Sequence, residues 1–157
     1  MSEEGELAGF LPYQLSVTSN AVSSLIAERY RKRFALKIPE WRVMAVLGDA
    51  GTMTQRALTA ATVMDKVAVN RAVKVLEDRG LIARVPNPGD GRSHLLALTA
   101  EGRAIHAEVM PLARATEREL LEGFGCGEEA ALRDLLARLR ARAMRLAGPA
   151  TEGPEQE

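Results

Sequence analysis

Residues 65–92 decide the fold predicted for this chain, and they read DKVAVNRAVKVLEDRGLIARVPNPGDGR. From Val69 onward, apolar residues recur at i, i+3, i+4 and i+7, which is the spacing of a helix with one buried face. Gly80 follows at the position where a left-handed residue ends such a helix. Beyond it, two short apolar strands flank a turn rich in proline and glycine. The stretch therefore predicts a short helix over residues 65–79, followed directly by a β-hairpin over residues 81–98.

The rest of the chain is predicted to be mainly helical, because apolar residues recur every three or four positions over five further segments. These segments are residues 12–36, 39–48, 55–61, 100–122 and 128–146. Gly48 and Gly51 are predicted to end the second helix, and Thr54 to cap the third through its hydroxyl. Pro111 lies inside a predicted helix, where it favours a kink or a break. The predicted fold class is mainly α with a small β-hairpin wing.

The chain is predicted to divide into two lobes and two flexible tails. Residues 38–98 form a winged helix-turn-helix lobe. Residues 10–37 and 99–147 form a helical dimerisation lobe, because their apolar stripes are wider than a core of this size can hide. Residues 1–9 and 148–157 are polar and are predicted to be flexible. We therefore expect the chain to pair with a second copy of itself.

Composition limits the class of protein. The chain has 157 residues and no net charge, which argues against a protein that coats nucleic acid indiscriminately. Between Ala50 and His94, seven Lys or Arg residues stand against four acids, so a local excess of +3 lies on the segment that contains the predicted helix and hairpin. The single cysteine allows no intrachain disulfide, and no apolar run reaches the ~20 residues of a membrane span. We expect a soluble, cytoplasmic protein.

The predicted helix and hairpin carry the side chains that DNA binding requires. Asn70 and Lys66 lie one turn apart on the exposed face; asparagine pairs with adenine, and lysine reaches guanine or phosphate. Arg92 lies at the hairpin tip, where an arginine can enter a minor groove. The preceding helix opens at Thr54, and its N-terminal N–H groups can hold a phosphate. The predicted DNA-binding residues are Thr54, Gln55, Arg56, Asp65, Lys66, Val69, Asn70, Arg71, Lys74, Arg84, Asp90, Arg92, Ser93 and His94.

Some of these residues have a second interpretation. Asp90 would repel phosphate in a loop that faces DNA, so we interpret it as a brace that pairs with Arg84 or Arg92; an ordinary exposed turn acid is the alternative. His94 lies beside Arg92 and is expected to touch a phosphate. The charged helix face is alternatively a solvated surface. A helical interaction module that uses the winged fold for protein contacts, without specific DNA binding, is the alternative function.

Five segments of the chain carry motifs that are specific as a set, through their order and spacing. They are Trp41-Arg-Val-Met-Ala-Val-Leu47, Met64-Asp-Lys-Val-Ala-Val-Asn-Arg71, Leu76-Glu-Asp-Arg-Gly-Leu-Ile82, Arg84…Asp90-Gly-Arg92 and Leu98-Thr-Ala-Glu-Gly102. Over residues 10–146 the chain resembles the MarR family of bacterial transcription regulators. The resemblance implies a homodimer on a pseudo-palindromic operator, with a recognition helix in the major groove and the wing in the minor groove. It also implies repression that is relieved by a small molecule, often an aromatic acid or its thioester.

A small-molecule site is predicted around Trp41, for which a plain core position is the alternative. Its polar groups would come from Asn20 and Ser23 on the first helix and from Arg42, whose guanidinium suits a carboxylate ligand. His106 is expected either to line this cleft or to lie satisfied in the dimer interface. The expected partners are therefore double-stranded DNA, a second copy of the chain and an aromatic or carboxylate effector.

No catalytic, metal or cofactor site is predicted, and the chain is expected not to be an enzyme. The sequence has no Gly-rich phosphate loop and no nucleophile elbow, and its two histidines, His94 and His106, share no ligand spacing. Cys126 is interpreted as a passive cap of the last helix, rather than a redox sensor, at a position where the family often has Ser or Thr. The chain also has Asn70 where the family often has Ser and Ala68 where it often has Thr, which bears on the bases that are read.

Overall fold

The computed structural model describes residues 6–148, and within this range it contains six α-helices and three short β-strands. The elements are α1 (Leu11–Phe34), α2 (Ile38–Ala50), β1 (Thr52–Thr54), α3 (Gln55–Thr62), α4 (Lys66–Asp78), β2 (Ile82–Pro86), β3 (His94–Leu98), α5 (Ala100–Leu120) and α6 (Cys126–Ala147). This arrangement confirms the predicted fold class. Most of the two predicted tails, residues 1–5 and 149–157, lies outside the described residues. None of the described helices is both long enough and apolar enough to span a membrane.

The small sheet contains the predicted hairpin and one strand that was not predicted. β2 and β3 pair antiparallel, with Ile82 opposite Leu98. β1 pairs with the other edge of β3, where Thr52 lies opposite Ala97. β1 has three residues and buries none of them fully, so it lacks the alternation of apolar and polar residues by which a strand is recognised in a sequence.

α4 is fixed by its buried face and by a cap at each end. Val69 and Leu76 have no exposed surface, and they pack in the same core as residues of α2, α3 and the sheet. The Asp65 carboxylate accepts a hydrogen bond from the N–H of Ala68 at 2.8 Å, which makes Asp65 the N-cap. At the other end Gly80 has a φ of 69°, and the next residue donates its N–H to the carbonyl of Leu76 at 2.9 Å. This pattern is the Schellman motif that the glycine predicts.

The structure has no break inside a helix at Gly48 or at Pro111, where the sequence predicts a stop and a kink or break. α2 continues through Gly48 and ends at Gly51, which has a φ of 84°. Gly48 is needed inside the helix because α5 approaches there: a Cβ at this position would lie 2.3 Å from Nε2 of His106. α5 is likewise continuous through Pro111. Val109 is fully buried and Thr116 nearly so, which holds the helix in the core on both sides of the proline.

The chain divides into two compact units, residues 1–117 and 118–157. The first groups α1 and most of α5 with the winged lobe, and the predicted lobe boundaries at residues 37 and 98 stay predictions. The second contains α6, none of whose residues is buried. Gly125 caps α6, and its N–H donates to the Glu128 carboxylate at 2.9 Å. The sequence analysis interpreted Cys126 as the cap of this helix, but Cys126 is its first residue.

The start of α5 is fastened to the chain that leaves α4. Thr99 donates its hydroxyl to the carbonyl of Gly80 at 2.6 Å and its N–H to the carbonyl of Leu81 at 3.0 Å. The same hydroxyl accepts the N–H of Gly102 at 3.1 Å, which makes Thr99 the cap of α5. Helix and hairpin approach so closely here that residue 102 has to be glycine.

We expect Gly102→Ala to destabilise the fold strongly. A Cβ at this position would lie 2.0 Å from the carbonyl oxygen of Leu81, and backbone rather than a flexible side chain would have to move. Overpacking of this kind costs about 1–3 kcal/mol, and more where nothing relaxes. Urea unfolding followed by circular dichroism measures the loss. The matched control is Gly127→Ala in α6, where the Cβ meets open space and a gain of about 0.5–1 kcal/mol is expected. Equal stability of Gly102→Ala and the wild type would contradict this packing.

We also expect His106 to make the stability of the fold depend on pH. Its ring stacks on Trp41, with the ring centroids 5.6 Å apart. Burial lowers the pKa of His106 below its ordinary 6.5, and the negative charge of Asp49 partly offsets this lowering. The unfolded chain therefore takes up this proton at a higher pH than the folded chain does. The contribution of His106 to stability is complete above pH 6.5 and is lost as the pH falls from that value through the lower pKa of the folded state.

The measurement is the free energy of unfolding in urea between about pH 7 and pH 5. In His106→Gln, we expect the free energy of unfolding to decline less steeply with falling pH than in the wild type. His94→Gln serves as the control, because His94 lies exposed at the start of β3. If His106→Gln declined as steeply as the wild type, the buried ring would not be the source of the dependence.

Candidate nucleic-acid interface

The exposed face of α4 carries the polar residues that the sequence predicts there. Lys66, Asn70, Arg71 and Lys74 are all exposed. Lys74 forms an i,i+4 ion pair with Asp78 at 3.3 Å, in which the two side chains are 77% and 65% exposed. Such a pair is worth little in water, so it does not withdraw the Lys74 ammonium from an incoming phosphate. The helix thus presents three cations and one amide on a single surface.

Two predicted contact residues of α4 serve the helix itself. Val69 is fully buried in the core, so its inclusion among the DNA-binding residues was wrong: it belongs to the stripe that anchors α4. Asp65 uses a carboxylate oxygen to cap the helix. Thr54 has the same function at the start of α3, where its hydroxyl accepts the N–H of Ala57 at 3.2 Å.

A chain of side-chain hydrogen bonds connects α3, α4 and β2. Nε2 of Gln55 donates to Oδ1 of Asn70. Oε1 of Gln55 in turn accepts from Nη2 of Arg84 at 3.3 Å. Arg84 also forms an ion pair with Glu77, with 2.8 Å between Nε and Oε1. This side-chain network, consisting of Asn70, Gln55, Arg84 and Glu77, joins the middle of α4 to its last turn.

The network corrects the predicted role of Arg84. The pairing of Arg84 with Asp90 does not occur, because the guanidinium lies against Glu77 and Gln55 instead. Glu77 was not singled out from the sequence. One signal could have identified it: Glu77 lies seven residues after Asn70, which is two turns along the same face of the helix.

The tip of the hairpin is held by its own polar groups. The Asp90 carboxylate accepts the backbone N–H of Arg92 at 3.0 Å, so Asp90 braces the loop through the main chain. The predicted brace was an ion pair with the guanidinium of Arg84 or Arg92. Nδ2 of Asn87 donates to the hydroxyl of Ser93 at 2.8 Å. Gly89 and Gly91 do not use the left-handed conformation that glycine allows, since neither has a positive φ. Side-chain hydrogen bonds shape this turn instead.

Two of the seven basic residues between positions 50 and 94 are engaged by other elements of the fold. Arg79 donates to the carbonyls of Phe34 at 2.7 Å and Ala35 at 2.9 Å, at the end of α1. Arg84 is engaged in the network. The other five, all exposed, are Arg56, Lys66, Arg71, Lys74 and Arg92. His94 is also exposed, at the first position of β3.

Three of the five predicted ligand residues meet at one small cavity. Ser23, Trp41 and Arg42 line a cavity of about 190 Å³, together with Ile26, Tyr30, Ile38 and Ala45. Burial raises the pKa of Tyr30 to about 12, so its hydroxyl stays protonated. Asn20 is exposed and does not line the cavity, and neither does His106, which lies against the Trp41 ring.

Comparison with known proteins identifies the family. The family model described as "MarR family" matches residues 36–93. The transcriptional regulator HosA of Escherichia coli O111:H- is 35% identical over 91 residues, which cover 58% of this chain and 67% of HosA. The HTH-type transcriptional repressor NicR of Pseudomonas putida is 30% identical over 96 residues, 61% of each protein.

Solved structures give the same result over more of the chain. A probable transcriptional regulator from Pseudomonas aeruginosa has a TM-score of 0.73 and 32% identity, covering 85% of this chain and 99% of that one. A mutant MarR of Escherichia coli in complex with operator DNA has a TM-score of 0.74 and 25% identity, covering 82% and 92%. These relatives are transcriptional regulators and not enzymes, and they share the winged helix-turn-helix of this chain. The chain belongs to the MarR family of DNA-binding transcriptional regulators.

Proposed function

We propose that the chain is a repressor that binds a pseudo-palindromic operator as a homodimer and leaves it when a small aromatic acid binds. One observation carries the proposal. α4 has one face completely buried and the opposite face lined with exposed Lys66, Asn70 and Arg71. A helix fixed in this way can lie in a major groove without losing its position in the fold.

The exposed cations around α4 support a DNA-facing surface. Arg56 lies at the start of α3, and Lys66 and Arg71 lie on α4. Cations spaced along two helices match the phosphates on the sides of a groove, and such contacts position a protein without reading sequence. Arg92 is exposed at the tip of the wing, where a minor groove attracts arginine.

Homodimerisation is supported by apolar side chains that the described structure leaves in solvent. On α6, Leu135 is 57% exposed and Leu136 is 46% exposed, with Leu132 and Leu139 on the same stripe. α1 and the residue before it add a second group, in which Phe10 is 56% exposed. Each group by itself is the kind of exposed apolar surface that marks an interaction site. A two-fold dimer would present two recognition helices to half-sites about 34–36 Å apart.

The cavity beside Trp41 supports the effector class. Its volume of about 190 Å³ is below the roughly 300–1,000 Å³ of sites for drug-sized ligands, and it suits a molecule with one ring. The Trp41 side chain offers an aromatic face, and the Arg42 guanidinium offers a partner for a carboxylate. A single-ring aromatic acid satisfies both. The name of NicR, a repressor, supports the direction of regulation.

The first test is binding to duplexes from the promoter region next to the gene, measured by mobility shift at several salt concentrations. We expect a specific complex whose affinity falls steeply with salt. Arg92→Ala removes two cations from a dimer, so the slope of log K against log[salt] should become shallower by about two. Lys32→Ala is the matched control: it removes an exposed cation from α1, outside the winged lobe, and should leave the slope unchanged. A protein-interaction module would show no specific complex at any salt concentration.

The second test is the oligomeric state in solution. Leu139→Glu places a charge on the exposed apolar stripe of α6, and we expect it to convert the dimer into monomers in sedimentation equilibrium. Ala137→Glu adds the same charge on the same helix, two residues away from the stripe position, where the side chain is also exposed. It should leave the dimer intact. Dimers of equal stability in both variants would exclude this stripe as the interface.

A further inference from the structure

We propose that Asn70 reads an acceptor-rich base edge, guanine above all, because Arg84 and Gln55 hold its amide in one orientation. The inference rests on the proposed function in one respect, namely that α4 enters the major groove. Asparagine on a recognition helix is otherwise expected to pair with adenine, to which it offers a donor and an acceptor together.

The orientation is set at Arg84. A guanidinium has five N–H donors and no acceptor, so every polar partner must present an oxygen to it. Glu77 does so with both carboxylate oxygens, at 2.8 Å from Nε and 3.3 Å from Nη2. Gln55 does so with Oε1, at 3.3 Å from the same Nη2. The amide of Gln55 therefore has its oxygen toward Arg84 and its nitrogen on the other side.

The orientation then passes to Asn70. Nε2 of Gln55 is a donor, and it lies against Oδ1 of Asn70. If Gln55 were flipped, its NH₂ group would face the Arg84 guanidinium, donor against donor. If Asn70 were flipped, its own NH₂ group would face Nε2 of Gln55. Only one arrangement satisfies all three groups, and it leaves both N–H groups of Nδ2 of the exposed Asn70 unused, while Oδ1 already accepts from Gln55.

An outward-facing amide nitrogen selects among bases. In the major groove guanine offers two acceptors, O6 and N7, whereas cytosine offers the N4 donor and adenine combines an acceptor with the N6 donor. Pairing with adenine would need Oδ1 of Asn70 to accept a second hydrogen bond while it serves Gln55. The NH₂ group of Nδ2 can instead donate to both guanine acceptors. Arg84 contacts no base in this arrangement; it is a positioning residue that acts through Gln55.

The test inverts the orientation without changing Asn70. In Gln55→Glu, the carboxylate can still accept from Arg84, but it offers Asn70 an acceptor where Gln55 offers a donor. Asn70 then turns Nδ2 inward and Oδ1 outward, toward base donors. The readout is selection from a randomised pool of duplexes, followed by sequencing. Selection with Asn70→Ala identifies the base position that Asn70 reads, as the position whose preference is lost.

Two further variants separate orientation from charge and from fold. Ala57→Glu is the charge-matched control: residue 57 is exposed on the first turn of α3, where a glutamate forms a capping box with Thr54. It should weaken binding and keep the guanine preference. Arg84→Met keeps the aliphatic stem but removes the donors, so that Gln55 can flip. It should reduce the guanine preference while circular dichroism shows an unchanged fold.

At the position identified by Asn70→Ala, we expect the wild type to prefer guanine by at least about fivefold. Gln55→Glu should prefer cytosine or adenine there. The inference is overturned if the wild type prefers adenine at this position, or if Gln55→Glu binds more weakly with its guanine preference intact. These outcomes leave the proposed function standing, because a sequence-selective dimer has been observed. If the wild type selects no sequence from the pool, the proposed function fails and this inference fails with it.

Discussion

The burial of one face of α4 is the constraint on which the rest of the winged lobe depends. Val69, Val73 and Leu76 have almost no exposed surface, and full burial of such side chains contributes about 1.5–3 kcal/mol each. Because these residues follow a helical period, burying them fixes the rotation of α4 about its own axis. The caps at Asp65 and Gly80 fix where the helix begins and ends. The polar face is therefore presented as a rigid surface, with little conformational entropy left to lose on binding.

α4 is also connected to α1, a helix whose own start carries exposed apolar residues. The guanidinium of Arg79, one residue after α4, donates to the carbonyls of Phe34 and Ala35. Carbonyls at a helix C-terminus have no partner within the helix, and a cation there also suits the helix dipole. A basic residue between α4 and β2 thus serves the fold. The positive charge that the surface offers to DNA depends on which cations are bound to other parts of the fold. The number of Lys and Arg residues in the sequence does not determine it.

The parts of the fold that were predictable are those set by neighbours in the chain. The period of α4, the cap at Thr54 and the glycine stop at Gly80 depend on residues at most seven positions apart, and all were confirmed. Two features that the sequence analysis missed arise from contact between distant residues. Gly48 lies inside α2 because a ring from α5 rests against it, and β1 exists because β3 offers it an edge. Neither contact leaves a periodic signal in the sequence.

In the candidate site, too, local features could be predicted from the sequence and contacts between distant residues could not. The residues that α4 exposes could be predicted from its period. The direction in which the Asn70 amide faces could not, because the oxygen and the NH₂ group of an asparagine have nearly the same shape. Which of them faces outward depends on the hydrogen-bond partners around the side chain. That context lies outside α4, at Gln55 on α3 and Arg84 on β2. If Arg84 orients Asn70 as we propose, two relatives with identical recognition helices would read different bases when residue 55 or 84 differs. Comparing α4 alone would then group regulators that bind different operators, and the hydrogen-bond chain behind the helix would have to be compared with it.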